Sequence, residues 1–159
     1  MSQLRERITG TTTRPLPDEA ELAGEPERGR RAAILLRTLG AVAVLTVGAV
    51  HLQQYVVDHF GVVPTIGPLF MLNFAGATVI GVGLLIPAAR LRMLHLLLAL
   101  GGIGLAATSF VFLLISEHRP LFGFQDHGYR PGIVVALAAE TVAVVALAAY
   151  LALRPGRRA

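Results

Sequence analysis

The stretch GIVVALAAETVAVVALAAYLAL, residues 132–153, decides the fold, because its 22 positions carry one charged side chain, Glu140. An α-helix needs roughly 20 apolar residues to cross a hydrocarbon core of about 30 Å. Lipid offers no partner for free backbone N–H and C=O groups, so an open-ended span has to be helical. Three runs upstream have the same character: residues 32–52, 68–86 and 91–115. Pro68 suits a first helical turn, while Pro87 and Pro131 punctuate the connections. The fold class read from these runs is all-α, a four-transmembrane-helix bundle over residues 32–153.

Composition points the same way. Of the 159 residues, 54% are hydrophobic and 15% charged, against about 25% charged in an ordinary soluble domain. Disorder needs the opposite balance, and a soluble globule of this size needs more polar surface. The chain has no cysteine, which excludes disulfides, thiolate catalysis and iron–sulfur clusters. All 14 basic residues are arginine, so a lysine Schiff base is excluded as well.

The net charge of +4 does not imply nucleic acid. Residues 1–31 hold six Arg and six acids, and the surplus lies beside the apolar runs instead. Arg28, Arg30, Arg31 and Arg37 flank the first span, Arg90 and Arg92 the turn after the second, and Arg154, Arg157 and Arg158 the end of the fourth. The other two connections hold only Arg119 and Arg130. The positive-inside bias then places both termini and the middle turn in the cytoplasm, and the 55–67 and 116–131 loops outside. The expected protein is a multi-pass plasma-membrane protein. Residues 1–31, broken by Pro15, Pro17, Gly24, Pro26 and Gly29, read as a disordered cytoplasmic tail, and residues 154–159 as a basic cytoplasmic C-terminus.

Small residues at four-residue spacing let helix backbones approach closely in lipid. Ala77 with Gly81, Gly104 with Thr108, and the stripe Ala136, Ala139 and Ala143 are read as packing surfaces of this kind.

Chemistry is concentrated in the few polar residues inside the spans. Glu140 lies eight residues into the fourth span, roughly 12 Å below its outer end. A carboxyl group at that depth must face the bundle, carry a proton or find a partner, and such residues are functional candidates by default. The competing role is a neutral hydrogen-bond tie between helices. His51, Asn73 and Thr108 fall in the same outer half, with Ser109, Thr141, Gln53 and Gln54 nearby. The expected ligand or proton site is an outward-open pocket built from His51, Asn73, Thr108 and Glu140. Glu117, His118, Asp126, His127 and Arg130, in the second outer loop, are candidates to complete it as a lid. In the other reading, that loop's Phe122, Phe124 and Tyr129 anchor at the headgroups.

No metal or cofactor is expected. Adjacent acid–histidine pairs such as Asp58-His59 do not converge on one ion, and His51 and His95 lie near opposite membrane faces, too far apart to share a haem iron. His95, beside Arg92, is expected to reach toward the cytoplasmic headgroups.

The stretch PTIGPLFMLN from Pro64 to Asn73, His51 ahead of it, Gly123-Phe-Gln-Asp126 and Ala139-Glu140 resemble small bacterial four-helix integral membrane proteins of unassigned activity. At greater distance, four short spans with a glycine-rich second span are similar to DoxX-like proteins. The resemblance covers about residues 32–153. It implies a compact plasma-membrane bundle, sometimes associated with redox partners, and supplies no catalytic residue.

Three functions remain open at this point. The leading one is a non-enzymatic accessory or small-ligand-binding subunit, whose partners are the lipid bilayer and a membrane protein or second copy. The alternatives are a small dimeric proton-coupled transporter using Glu140, and a quinone- or haem-linked redox membrane protein.

Overall fold

The computed structural model describes residues 19–87, 91–123, 125, 128 and 130–153. They form four helices: α1 (Glu19–Val56), α2 (Ile66–Leu85), α3 (Arg92–His118) and α4 (Pro131–Ala152), with a 3-10 turn at Phe60–Val62 between the first two. All four are long and apolar enough to cross a membrane. They cover the four expected spans to within a residue and extend beyond several of them.

Two extensions change the reading of particular residues. α1 begins at Glu19, so the part of the expected tail from 19 to 31 is helical, while residues 1–18 lie outside the described residues. Once a span has nucleated a helix, each added residue brings a hydrogen bond; Pro26 forfeits one and crowds the preceding turn, at a cost of about 3 kcal/mol that nothing in the structure explains. Arg31 and Glu27 add an exposed ion pair four residues apart, at 3.1 Å. α3 runs to His118, which places Ser116, Glu117 and His118 on its last turns rather than in a loop.

α1 packs along α2 and α4, α3 packs along α4 and α2, and α1 barely meets α3. The helices therefore stand in sequence order around a square, each antiparallel to the next. One end, the loop end, carries the connections 57–65 and 119–130; the hairpin end carries the connection 86–91.

The hairpin half is closed. Leu147 is fully buried, and a Cβ on Gly40 or Gly102 would come within 2.5 or 2.8 Å of its methyl carbons. α2 lies hard against α1: a Cβ on Gly48 would meet that of Ala77 at 2.8 Å, and one on Gly81 would sit 3.1 Å from the Ala41 carbonyl oxygen. Ala77 and Gly81 are thus at an interface, as their spacing suggests, and Ala136, Ala139 and Ala143 are all buried. Gly104 and Thr108 are not at one. Both are exposed, and a Cβ on Gly104 would have no neighbour within 4 Å. Gly102 takes the packing role on α3.

His95 also departs from expectation. It is only 4% exposed, because α3 turns it inward beneath the end of α2. Its Nε2 lies 3.1 Å from the Ile86 carbonyl oxygen and 3.3 Å from Arg37 Nη1. One ring nitrogen serves either a carbonyl acceptor or a guanidinium donor, so the two contacts alternate with the tautomer.

Candidate functional site

At the loop end the four helices separate around a cavity of about 390 Å³. Every helix contributes polar groups to its wall or lies against it: His51 and Gln54 from α1, Asn73 from α2, Thr108, Ser109 and Ser116 from α3, and Glu140 from α4. At 1.5 Å per residue, His51, Asn73, Thr108, Ser109 and Glu140 lie about 7–15 Å from the loop-end termini of their helices, while Gln54 and Ser116 lie only about 3 Å from theirs. The apolar wall includes Leu69, Phe70, Leu105, Phe112, Leu121 and Ile133.

His51 is buried and engaged on both ring nitrogens. Nδ1 donates to the Val47 carbonyl of its own helix at 2.8 Å, and this fixes the tautomer. Nε2 is then the acceptor, and the Ser109 hydroxyl donates to it at 3.1 Å. The edge of the ring meets Phe70 at a centroid distance of 5.0 Å, and Phe70 in turn meets Phe60 at 5.4 Å. The Arg130 guanidinium lies 5.3 Å above the Phe60 ring and 3.9 Å from Asp58, so a layered stack covers this side of the loop end. On the other side Phe122 packs edge-on against Phe112 at 6.3 Å.

Glu140 is the opposite case. The residue is 1% exposed, and neither carboxyl oxygen has a hydrogen-bond partner. Ser109 lies beside it, but its hydroxyl is directed to His51. Asn73 Oδ1 is likewise buried and unpartnered. A buried acceptor left unsatisfied costs about 1–3 kcal/mol, so these atoms mark where the bundle is incomplete by itself.

The four sequence-derived candidates His51, Asn73, Thr108 and Glu140 are therefore brought to one cavity. Of the loop candidates, the described ones, Glu117, His118 and Arg130, are not among its lining residues. Glu117 Oε2 accepts from the Gly128 N–H at 3.3 Å, which ties the second loop to α3. His118 Nδ1 donates to the Leu114 carbonyl at 2.8 Å, and Arg130 belongs to the stack over Phe60. Asp126 and His127 lie outside the described residues. From that loop it is apolar Leu121 that meets the cavity. Thr141, adjacent to Glu140, hydrogen-bonds back to Leu137 and faces outward.

The sequence reading did not include Ser109 or Ser116 among the site residues. Their signal was present: 109, 112, 113 and 116 follow the i, i+3, i+4, i+7 rule for one helix face. Among the described residues, no three His, Asp or Glu side chains gather as a metal cluster.

The Ser109–His51 pair has the separation of a nucleophile and base, but among the described residues no carboxylate is hydrogen-bonded to the imidazole. The imidazole is backed by a neutral carbonyl. In the first turn of α2 the N–H groups of Ile66, Gly67 and Leu69 bond to Pro64, Val63 and Thr65. None of these three is free to stabilise an oxyanion. What the arrangement can do is hold a ligand: apolar walls, a few converging polar atoms, and one acid without a partner. No family profile, no curated protein and no solved structure matches this chain.

Proposed function

We propose that this is a non-enzymatic plasma-membrane protein that binds a small ligand in the cavity between its four helices, with the pocket on the outer side. The observation that carries this reading is the Glu140 carboxyl, buried at the wall of a 390 Å³ cavity with no protein partner for either oxygen. Pockets for small molecules commonly occupy about 300–1,000 Å³ and combine apolar walls with a few directed polar groups. The outward orientation rests on the arginines beside the hairpin end.

The same carboxyl favours transport as the second reading, because one acid exposed to one side at a time is what proton coupling requires. Reconstituted protein distinguishes the two. Ligand binding without net flux supports a binding subunit; pH-gradient-driven flux that Glu140→Gln abolishes supports the transporter. Ligand saturation that persists when Gly104→Leu fills the cavity would refute both.

A further inference from the structure

The donors, acceptors and charges on the cavity wall define a ligand class, an argument that rests on the proposed binding function. We infer that the cavity takes a small monocationic amphiphile, a protonated amine on an apolar tail, and admits it sideways between α2 and α3.

The charge balance comes first. Among the described residues Glu140 is the one acid on the wall, and no arginine lines it. His51 is engaged on both ring nitrogens, by the Val47 carbonyl and the Ser109 hydroxyl. A positive charge brought in by the ligand would complement Glu140 in its ionised form.

The hydrogen-bond inventory narrows the class. Both Glu140 oxygens and Asn73 Oδ1 are unpartnered acceptors. An ammonium offers up to three N–H donors and no acceptor, which fits this set; an alcohol offers one donor, and a carboxylate none.

The opening defines the tail. Leu72 is 68% exposed and also lines the cavity, as do exposed Gly104, Thr108 and Phe112 on the facing helix. The gap is thus in the side of the bundle, between helices whose outer surfaces are apolar, and Gly104 faces open space. The Phe60 and Phe122 stacks cover the loop end. A molecule already partitioned into the bilayer can place its head at Glu140 and leave its tail in the gap.

The test uses the full chain in nanodiscs of neutral lipid, with octylammonium, 1-octanol and octanoate as calorimetric probes and empty nanodiscs as blanks. A hydrogen bond to a charged group is worth about 1.5–3 kcal/mol, so octylammonium should bind roughly 10- to 100-fold more tightly than octanol. Octanoate should not bind above the blank. Glu140→Gln should bring the amine-to-alcohol ratio below about threefold, while Glu140→Asp retains most of it. If the Gln variant does not fold, the wild-type ratio alone decides. Gly104→Leu, where a side chain has room, should abolish binding of both probes. Equal affinity for amine and alcohol, with both lost in Gly104→Leu, overturns the cationic ligand but leaves the pocket as a binding site. Absence of any saturable binding overturns the pocket as well.

Discussion

Replacing Glu140 by methionine should stabilise the protein. The carboxyl is buried with two unsatisfied oxygens, and such groups cost about 1–3 kcal/mol. Methionine has nearly the same length and no polar atom, and its flexible chain borders an open cavity of about 390 Å³ where it can relax without overpacking. The gain should therefore be close to the whole penalty, about 1–3 kcal/mol. For a chain of this length each kcal/mol shifts the melting temperature by roughly 2–4 °C, so Glu140→Met should melt about 2–12 °C higher in detergent. The opposing idea is that Glu140 ties helices together by hydrogen bonding, which predicts a loss of about 1–2 kcal/mol. Thermal and denaturant unfolding of the two proteins in one detergent decide the sign. A destabilised Glu140→Met, with unchanged helix content, would show that the carboxyl is part of the scaffold and that the cavity argument is mistaken.

Other expectations follow from the packing. Gly81→Ala should cost about 1–3 kcal/mol because its Cβ would stand 2.5 Å from Leu45 Cγ and 3.1 Å from the Ala41 carbonyl oxygen, whereas Gly104→Ala should be neutral or slightly stabilising. Equal effects on unfolding at the two sites would contradict the open gap on α3. A double-mutant cycle between His51→Ala and Ser109→Ala should give a coupling of about 0.5–1.5 kcal/mol, and additive losses would remove the hydrogen bond between them. Cysteines at Arg90 and Gln125 should label from opposite sides of the membrane; labelling of both from outside overturns the orientation.

Much of this architecture is legible in the sequence, for reasons of scale. A span needs about twenty apolar residues, so its ends are fixed to within a turn, and depth along a helix follows at 1.5 Å per residue. Depth is what grouped His51, Asn73, Thr108 and Glu140, which line one cavity. Rotation is a different matter. Glu140 and Thr141 are neighbours in sequence, yet one faces the cavity and the other faces out, and only the seating of α4 decides which. Small-residue spacing at 104 and 108 shows that a helix is able to come close, not that one does. His95 carries no mark separating a headgroup contact from burial, because its setting depends on where the backbone of Ile86 ends α2. The extension of α1 to Glu19 was hidden by Gly24, Pro26 and Gly29, whose local preferences all disfavour a helix interior.

The Leu147 lock implies a rule about which sequences this bundle can tolerate. Its side chain occupies a space shared with Gly40 and Gly102, so these three positions divide one fixed volume among them. Enlarging either glycine alone overfills that volume, and shrinking Leu147 alone leaves a void costing about 2–5 kcal/mol by soluble-protein precedent. A change at one position is tolerated only with an opposite change at another, for example Leu147→Ala together with Gly102→Ala. The gap beside Gly104 carries no such debt. The two halves of the bundle are therefore under different rules of substitution, one set by a conserved sum and the other by whatever occupies the opening.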